Sequence, residues 1–268
     1  MSIMNYKIII IVVAIAVILI IGGLILFEHA IMPSQTVISK VVFPTQDQLS
    51  SVLGNNWNIT ELYEENYSSA VNQQYPGGTV LYQEYVQRDN QTIVISVLQL
   101  SNSSTSIKGI KVGNYLVFAN VSSNSTQINL NSIEELEVST LKSGKGLMPT
   151  VNPLLIVPMS NVTILQFGNA TTSNYTIYFQ TLLYNNSYVT IDLAKSSNIS
   201  SLFNYLLLTA GKNVTVSTIN GAKYFNLSLQ TYYGSVYYYV GVKDNYLIFI
   251  QSQTPQAFQL FLLIVNRV

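Results

Sequence analysis

The chain has 268 residues, 12 basic against 12 acidic side chains, one histidine and no cysteine. A net charge of zero leaves no basic face to neutralise phosphates, which argues against nucleic-acid binding. The missing cysteines exclude disulfides, thiol catalysis and sulfur-built zinc sites. Only 9% of residues are charged, yet 49% are hydrophobic, so the chain has the apolar material for a folded core rather than for disorder.

The first element is apolar. Ile8 to Phe27 contains 20 residues and no charge. At 1.5 Å per residue it would reach about 30 Å, the thickness of a bilayer core. A cleaved signal peptide fits less well, because Glu28 falls where a small residue would precede a cut after Ala30. A pilin-like filament subunit, cut near Lys7, is the other alternative, although Pro33 stops the helix soon after the apolar run. Lys7 before the segment, with Glu28 and His29 after it, predicts an inside N-terminus and an outside domain. Residues 1–28 are thus read as an anchor in membrane lipid and 29–43 as a linker or stalk.

A first lobe is expected over 44–142. Thr45 and Gln48 form a capping-box signature for a short helix to about Leu53. Asn58–Ala70 reads as a helical continuation, and Pro76-Gly77-Gly78 as a turn. Thr79–Val86 and Thr92–Leu100 read as a hairpin around Arg88–Gln91, followed by a strand at Tyr115–Val121. Ser132–Leu141 suits a helix whose Glu134, Glu135 and Glu137 form a solvated face.

Residues 143–160, with Pro149, Pro153 and Pro158, read as a connection to a second lobe over 161–268. There the strand signals are Val162–Phe167, Tyr175–Tyr184, Tyr188–Leu193, Val214–Ile219, Lys223–Gln230, Val236–Val242 and Tyr246–Gln251. Helices are expected at Ile199–Thr209 and at Gln256–Val265, the latter with Thr254 as N-cap and Pro255 in first position. The expected fold class is α+β, mostly antiparallel sheet with a few short helices. Asn114-Tyr115-Leu116-Val117-Phe118 resembles Asn245-Tyr246-Leu247-Ile248-Phe249, a hint of two related lobes.

Thirteen asparagines open an Asn-X-Ser/Thr sequon: Asn58, Asn66, Asn90, Asn102, Asn120, Asn124, Asn161, Asn169, Asn174, Asn185, Asn198, Asn213 and Asn226. Chance would give about five at this Ser and Thr content. All lie beyond the apolar segment, on the side the charge bias places outside, which points to N-glycosylation.

Chemistry is scarce. His29 stands at the expected membrane boundary, so neither a Ser-His-Asp triad nor a histidine metal site is available to the domain. No phosphate loop or other cofactor motif occurs, and no cofactor is expected. A hydrolase built on two carboxylates is the remaining enzymatic alternative, and the reading is not an enzyme. Tyr237 and Tyr239, on one face of a tyrosine-rich strand, are candidates for a ligand-stacking platform, which an extracytoplasmic sugar- or protein-binding sensor would use.

The apolar anchor, the sequons, the absent cysteines and the Tyr/Asn/Ser/Thr-rich strands together resemble membrane-anchored surface glycoproteins of thermoacidophilic crenarchaea or of their viruses. That resemblance implies a non-enzymatic envelope or adhesion role, with other envelope proteins as possible partners. Few titrating groups also suit an acidic exterior, since few protons then distinguish folded from unfolded chain.

Overall fold

The computed structural model describes residues 41–268 apart from 102–105, 123–127, 158, 212–213 and 233. The anchor expected at Ile8–Phe27 lies outside the described residues, as do Asn102, Asn124 and Asn213. Among the described residues no helix is long and apolar enough to cross a membrane.

Twelve strands form one antiparallel sheet. In chain order the first half comprises α1 (Gln46–Leu53), β1 (Asn58–Glu65), α2 (Ser68–Gln74), β2 (Gly78–Arg88), β3 (Gln91–Leu100), β4 (Ile110–Val112), β5 (Tyr115–Val121) and α3 (Leu130–Ser143). The second half comprises β6 (Val162–Thr171), β7 (Thr176–Tyr184), β8 (Ser187–Lys195), α4 (Ile199–Ala210), β9 (Ser217–Ile219), β10 (Ala222–Thr231), β11 (Gly234–Lys243), β12 (Tyr246–Ser252) and α5 (Phe258–Val265). Across the sheet the order is β4-β5-β3-β2-β1-β6-β7-β8-β12-β11-β10-β9.

That order holds an internal symmetry. Outward from the centre, the first lobe runs β1-β2-β3-β5-β4 and the second runs β6-β7-β8-β12-β11, the same path twice. The two paths meet where β1 pairs antiparallel with β6, from Glu61↔Ala170 to Glu65↔Gln166. The matching pentapeptides occupy matching places on β5 and β12. Leu116 packs with Val71 of α2, and Leu247 with Ile199 and Phe203 of α4, on one face. Val117 packs with Ile133 of α3, and Ile248 with Leu260 and Phe261 of α5, on the other. Only β9 and β10 lack a counterpart, so the second lobe is the wider one. The lobes are therefore halves of one continuous sheet.

Local chemistry explains most elements. Thr45 and Gln48 make the reciprocal capping box of α1. In α3, Ile133, Glu137 and Thr140 form the buried stripe at helical spacing, and Gly144 ends the helix at φ 64°. Thr254 caps the turn Pro255–Ala257 that leads into α5. Asn58–Glu65 is a strand, so of the helical continuation expected over Asn58–Ala70 only the part from Ser68 is helix. Pairing with β2 and β6 satisfies both of its backbone edges and overrides a weak local preference. The short edge strand β4 carried no sequence signal of its own.

Candidate functional site

The sequons are the one residue set that sequence reasoning marks over the whole domain, and the fold distributes them over its surface. Of the ten whose asparagine is described, Asn58, Asn90, Asn120, Asn161, Asn174, Asn185, Asn198 and Asn226 are exposed and none is buried. Most stand at strand ends and turns. Asn90 lies in the β2–β3 turn, Asn174 between β6 and β7, Asn185 in the β7–β8 turn at φ 49°, and Asn198 at the start of α4. Asn226 lies within β10, exposed beside Tyr239 of the neighbouring strand. Such positions leave the amide nitrogen accessible to a transferase and leave room for a glycan.

Two sequons differ. Asn66 is half-buried just after β1, where its side-chain nitrogen donates to the Ile164 carbonyl at 2.9 Å and also to that of Leu165. Asn169 is half-buried in β6, between Leu62 and Tyr178 in the sheet register. The nitrogen of Asn161 donates to the side-chain oxygen of Asn185, so these two sites adjoin.

The tyrosine platform takes a different form from a binding surface. Tyr239 is buried, donates its hydroxyl to the Pro255 carbonyl at 2.9 Å, and packs its ring on Phe258 and Phe261. Tyr237 is half-buried against the same cluster. These rings cover sheet beneath α5, and Tyr239 has no free face on which a ligand could stack.

The carboxylates hold the electrostatic surprise. Glu137, read as part of a solvated helix face, is fully buried and faces Glu84 of β2, and neither carboxyl has a hydrogen-bond partner. Burial raises both pKa values, and the neighbouring Glu137 raises that of Glu84 further. On the opposite face of the sheet burial lifts Glu61 to about 7, Glu65 to about 8 and Asp192 to about 7. The Tyr67 amide, donating to Glu65 at 3.1 Å, offsets part of the rise there. Burial above all raises Tyr63, and it raises Tyr85 to about 12. Glu134 also leaves the solvated face: its carboxylate accepts the Ala119 amide at 3.0 Å on the edge of β5.

Four of the described cations find partners other than carboxylates. The Arg88 guanidinium sits 4.6 Å over the Trp57 ring, and the Lys195 ammonium 5.6 Å over Tyr246. Lys243 donates to the Val265 carbonyl at 2.9 Å, where it complements the end of α5, and Arg267 donates to the Leu154 carbonyl at 3.3 Å. These interactions survive protonation of every carboxylate.

Two open depressions are described. One, of about 650 Å³, lies along the edge of β5 between Tyr75, Lys108, Asn120 and Glu134. The other, of about 540 Å³, lies between Gln46, Trp57, Arg88 and Asp89. Each has a single carboxylate in its wall. Tyr63 lies in register with Asp192 through β6 and β7, so β1 and Asp192 are three strand spacings apart. That is about 14 Å, beyond the span of a glycosidase carboxylate pair. Among the described residues no cluster of metal ligands forms. No protein-family model matches the chain, and no curated protein matches it in sequence.

Proposed function

We propose that the protein is a single-pass surface glycoprotein with a structural or adhesive role in an envelope that faces an acidic medium. Ile8–Phe27 anchors it in lipid with the N-terminus inside, and the twelve-stranded domain stands outside. The observation that carries this reading is the placement of the sequons: eight of the ten described asparagines are exposed and none is buried. The electrostatics support the acidic medium. Buried carboxyls without cations are tolerated when protonated, and Arg88, Lys195 and Lys243 rest on rings and a carbonyl that acid leaves unchanged. The resemblance to crenarchaeal surface glycoproteins agrees with both.

The test is the mass of the intact protein from its native membrane, with site-by-site occupancy from glycopeptides. A mass well above 29.8 kDa that falls on glycan removal, with Met1 or Ser2 at the N-terminus, is expected. Asn174 is expected to be occupied and Asn66 empty, because the nitrogen of Asn66 is already held by two carbonyls. A protein at 29.8 kDa without glycan would overturn the reading, and one beginning near Ile8 would replace the anchor with a filament stem.

A further inference from the structure

The two ends of the sheet are finished differently. At the β4 side, the unpaired amide of Ala119 on β5 is capped by Glu134 at 3.0 Å. At the other side β9 pairs only with Ala222, Lys223 and Tyr224 of β10. No described strand pairs with Phe225–Gln230 on that side. Natural edge strands are blunted by charge, proline, bulges or shortness. This one has none of these: no charged residue occurs from Tyr224 to Val242, and the β10–β11 register runs without a bulge.

The hairpins fix which backbone groups are open. Asn220 and Gly221, at φ 49° and 82°, form a two-residue turn between Ile219 and Ala222. The residues flanking such a turn form a hydrogen-bonded pair, so Ala222 directs its amide and carbonyl at β9. Alternation then directs Tyr224, Asn226, Ser228 and Gln230 the same way. The turn between Thr231 and Gly234 gives the same parity from the other end. Asn226, Ser228 and Gln230 therefore present their backbone groups outward, beyond the reach of β9.

We infer that this edge pairs with the same edge of a second copy of the chain, antiparallel about a two-fold axis at Ser228. The residue pattern is self-complementary around that point. Asn226 comes opposite Gln230 of the second copy, and Leu227 opposite its Leu229. The Ser228 pair and the Asn226–Gln230 pairs are then hydrogen-bonded, which is the parity the hairpins impose. The leucine pairs fall at the closer, non-bonded positions, where side chains touch best. Leu229 is 51% exposed, and on the same face α4 leaves Leu208 82% exposed. A neutral strand meets its own copy without repulsion, whereas a charged partner would find nothing to pair with. Asn226 projects from the opposite face of the sheet, so a glycan there leaves the edge itself open. The inference is independent of the glycoprotein reading.

The chain has no cysteine, so a single introduced thiol reports on its own neighbourhood. Ser228→Cys, which also replaces the third residue of the Asn226 sequon, would be placed in the full-length protein in detergent and oxidised. Hydrogen-bonded antiparallel partners stand about 5.5 Å apart at Cα, within disulfide reach. A reducible dimer at twice the mass of the reduced chain is expected, together with its loss when Leu229→Lys is added and its absence for Lys145→Cys on a remote loop. Equal cross-linking of the two cysteine variants, or survival of the dimer with Leu229→Lys, would overturn the inference. The unmodified chain is a second measurement that needs no cysteine. Light scattering should give two chains per particle, falling to one with Leu229→Lys. One chain per particle in the parent protein, or two in the variant, would overturn it as well.

Discussion

Glu137 and Glu84 carry the main lesson at the scale of single residues. A glutamate on a helix face is ordinarily solvated, and the spacing of Glu134, Glu135 and Glu137 suggested nothing else. The fold turns Glu137 into the sheet without a partner. What the sequence lacked was the protonation state, since a neutral carboxyl is a tolerable core group and a carboxylate is not. The sign of the pH dependence follows. These folded-state pKa values lie above the unfolded ones, near 4.5 for glutamate and 3.8 for aspartate, so the stability they allow is complete below about pH 3.8. It is lost as pH rises through about 7 to 8, where Glu61, Asp192 and Glu65 ionise in the folded state. Thermal melts from pH 3 to 8 should show a melting temperature that falls toward neutrality. Glu65→Gln keeps an oxygen for the Tyr67 amide and should flatten part of that fall, by on the order of 1–3 kcal/mol at pH 8. A melting temperature that rises with pH would contradict this account.

Elements were legible where their signals are local. The capping box of α1, the Thr254 cap on the turn that leads into α5 and the strand β5 depend on a few neighbouring residues, and they stand where the sequence placed them. The nature of β1 was not legible, because its identity as a strand comes from β2 and β6 on either side. Tyr239 likewise stood as a platform candidate, and only the packing of α5 over it shows its ring as part of the core. Sequon exposure could be anticipated from turns, but the engagement of Asn66 depends on Ile164 and Leu165, about a hundred residues away in sequence. The β1–β6 pairing also explains Gly168. A Cβ there would lie 2.4 Å from the Leu62 carbonyl oxygen and 2.5 Å from the Tyr63 Cβ. Both are parts of β1 that cannot move without opening the sheet. Gly168→Ala should cost on the order of 1–3 kcal/mol in denaturant unfolding. A variant as stable as the parent would mean that the pairing yields more readily than its register implies.

At the scale of the whole molecule, the sequence hinted at two lobes through one pentapeptide but gave no sign that a single sheet joins them. The five residue pairs between β1 and β6 are the reason. Two domains on a linker unfold separately, whereas halves that share a sheet lose each other's support together. Calorimetry of the full chain should therefore show one transition for the residues beyond the stalk. Two well-separated transitions would mean that the seam contributes little.

The seam also bears on how the chain is made. Every residue of the first lobe emerges from the ribosome before Val162, so for a time that lobe is complete except along β1. Its unfinished edge carries Glu61 and Glu65 on one face. Until β6 pairs there, ionised Glu61 and Glu65 would put two negative charges on that edge and disfavour its addition to a second nascent lobe. When β6 arrives the charge is covered, and in acid it is extinguished. The residues whose burial disfavours the finished protein at neutral pH would thus be the ones that guard it while it is being made.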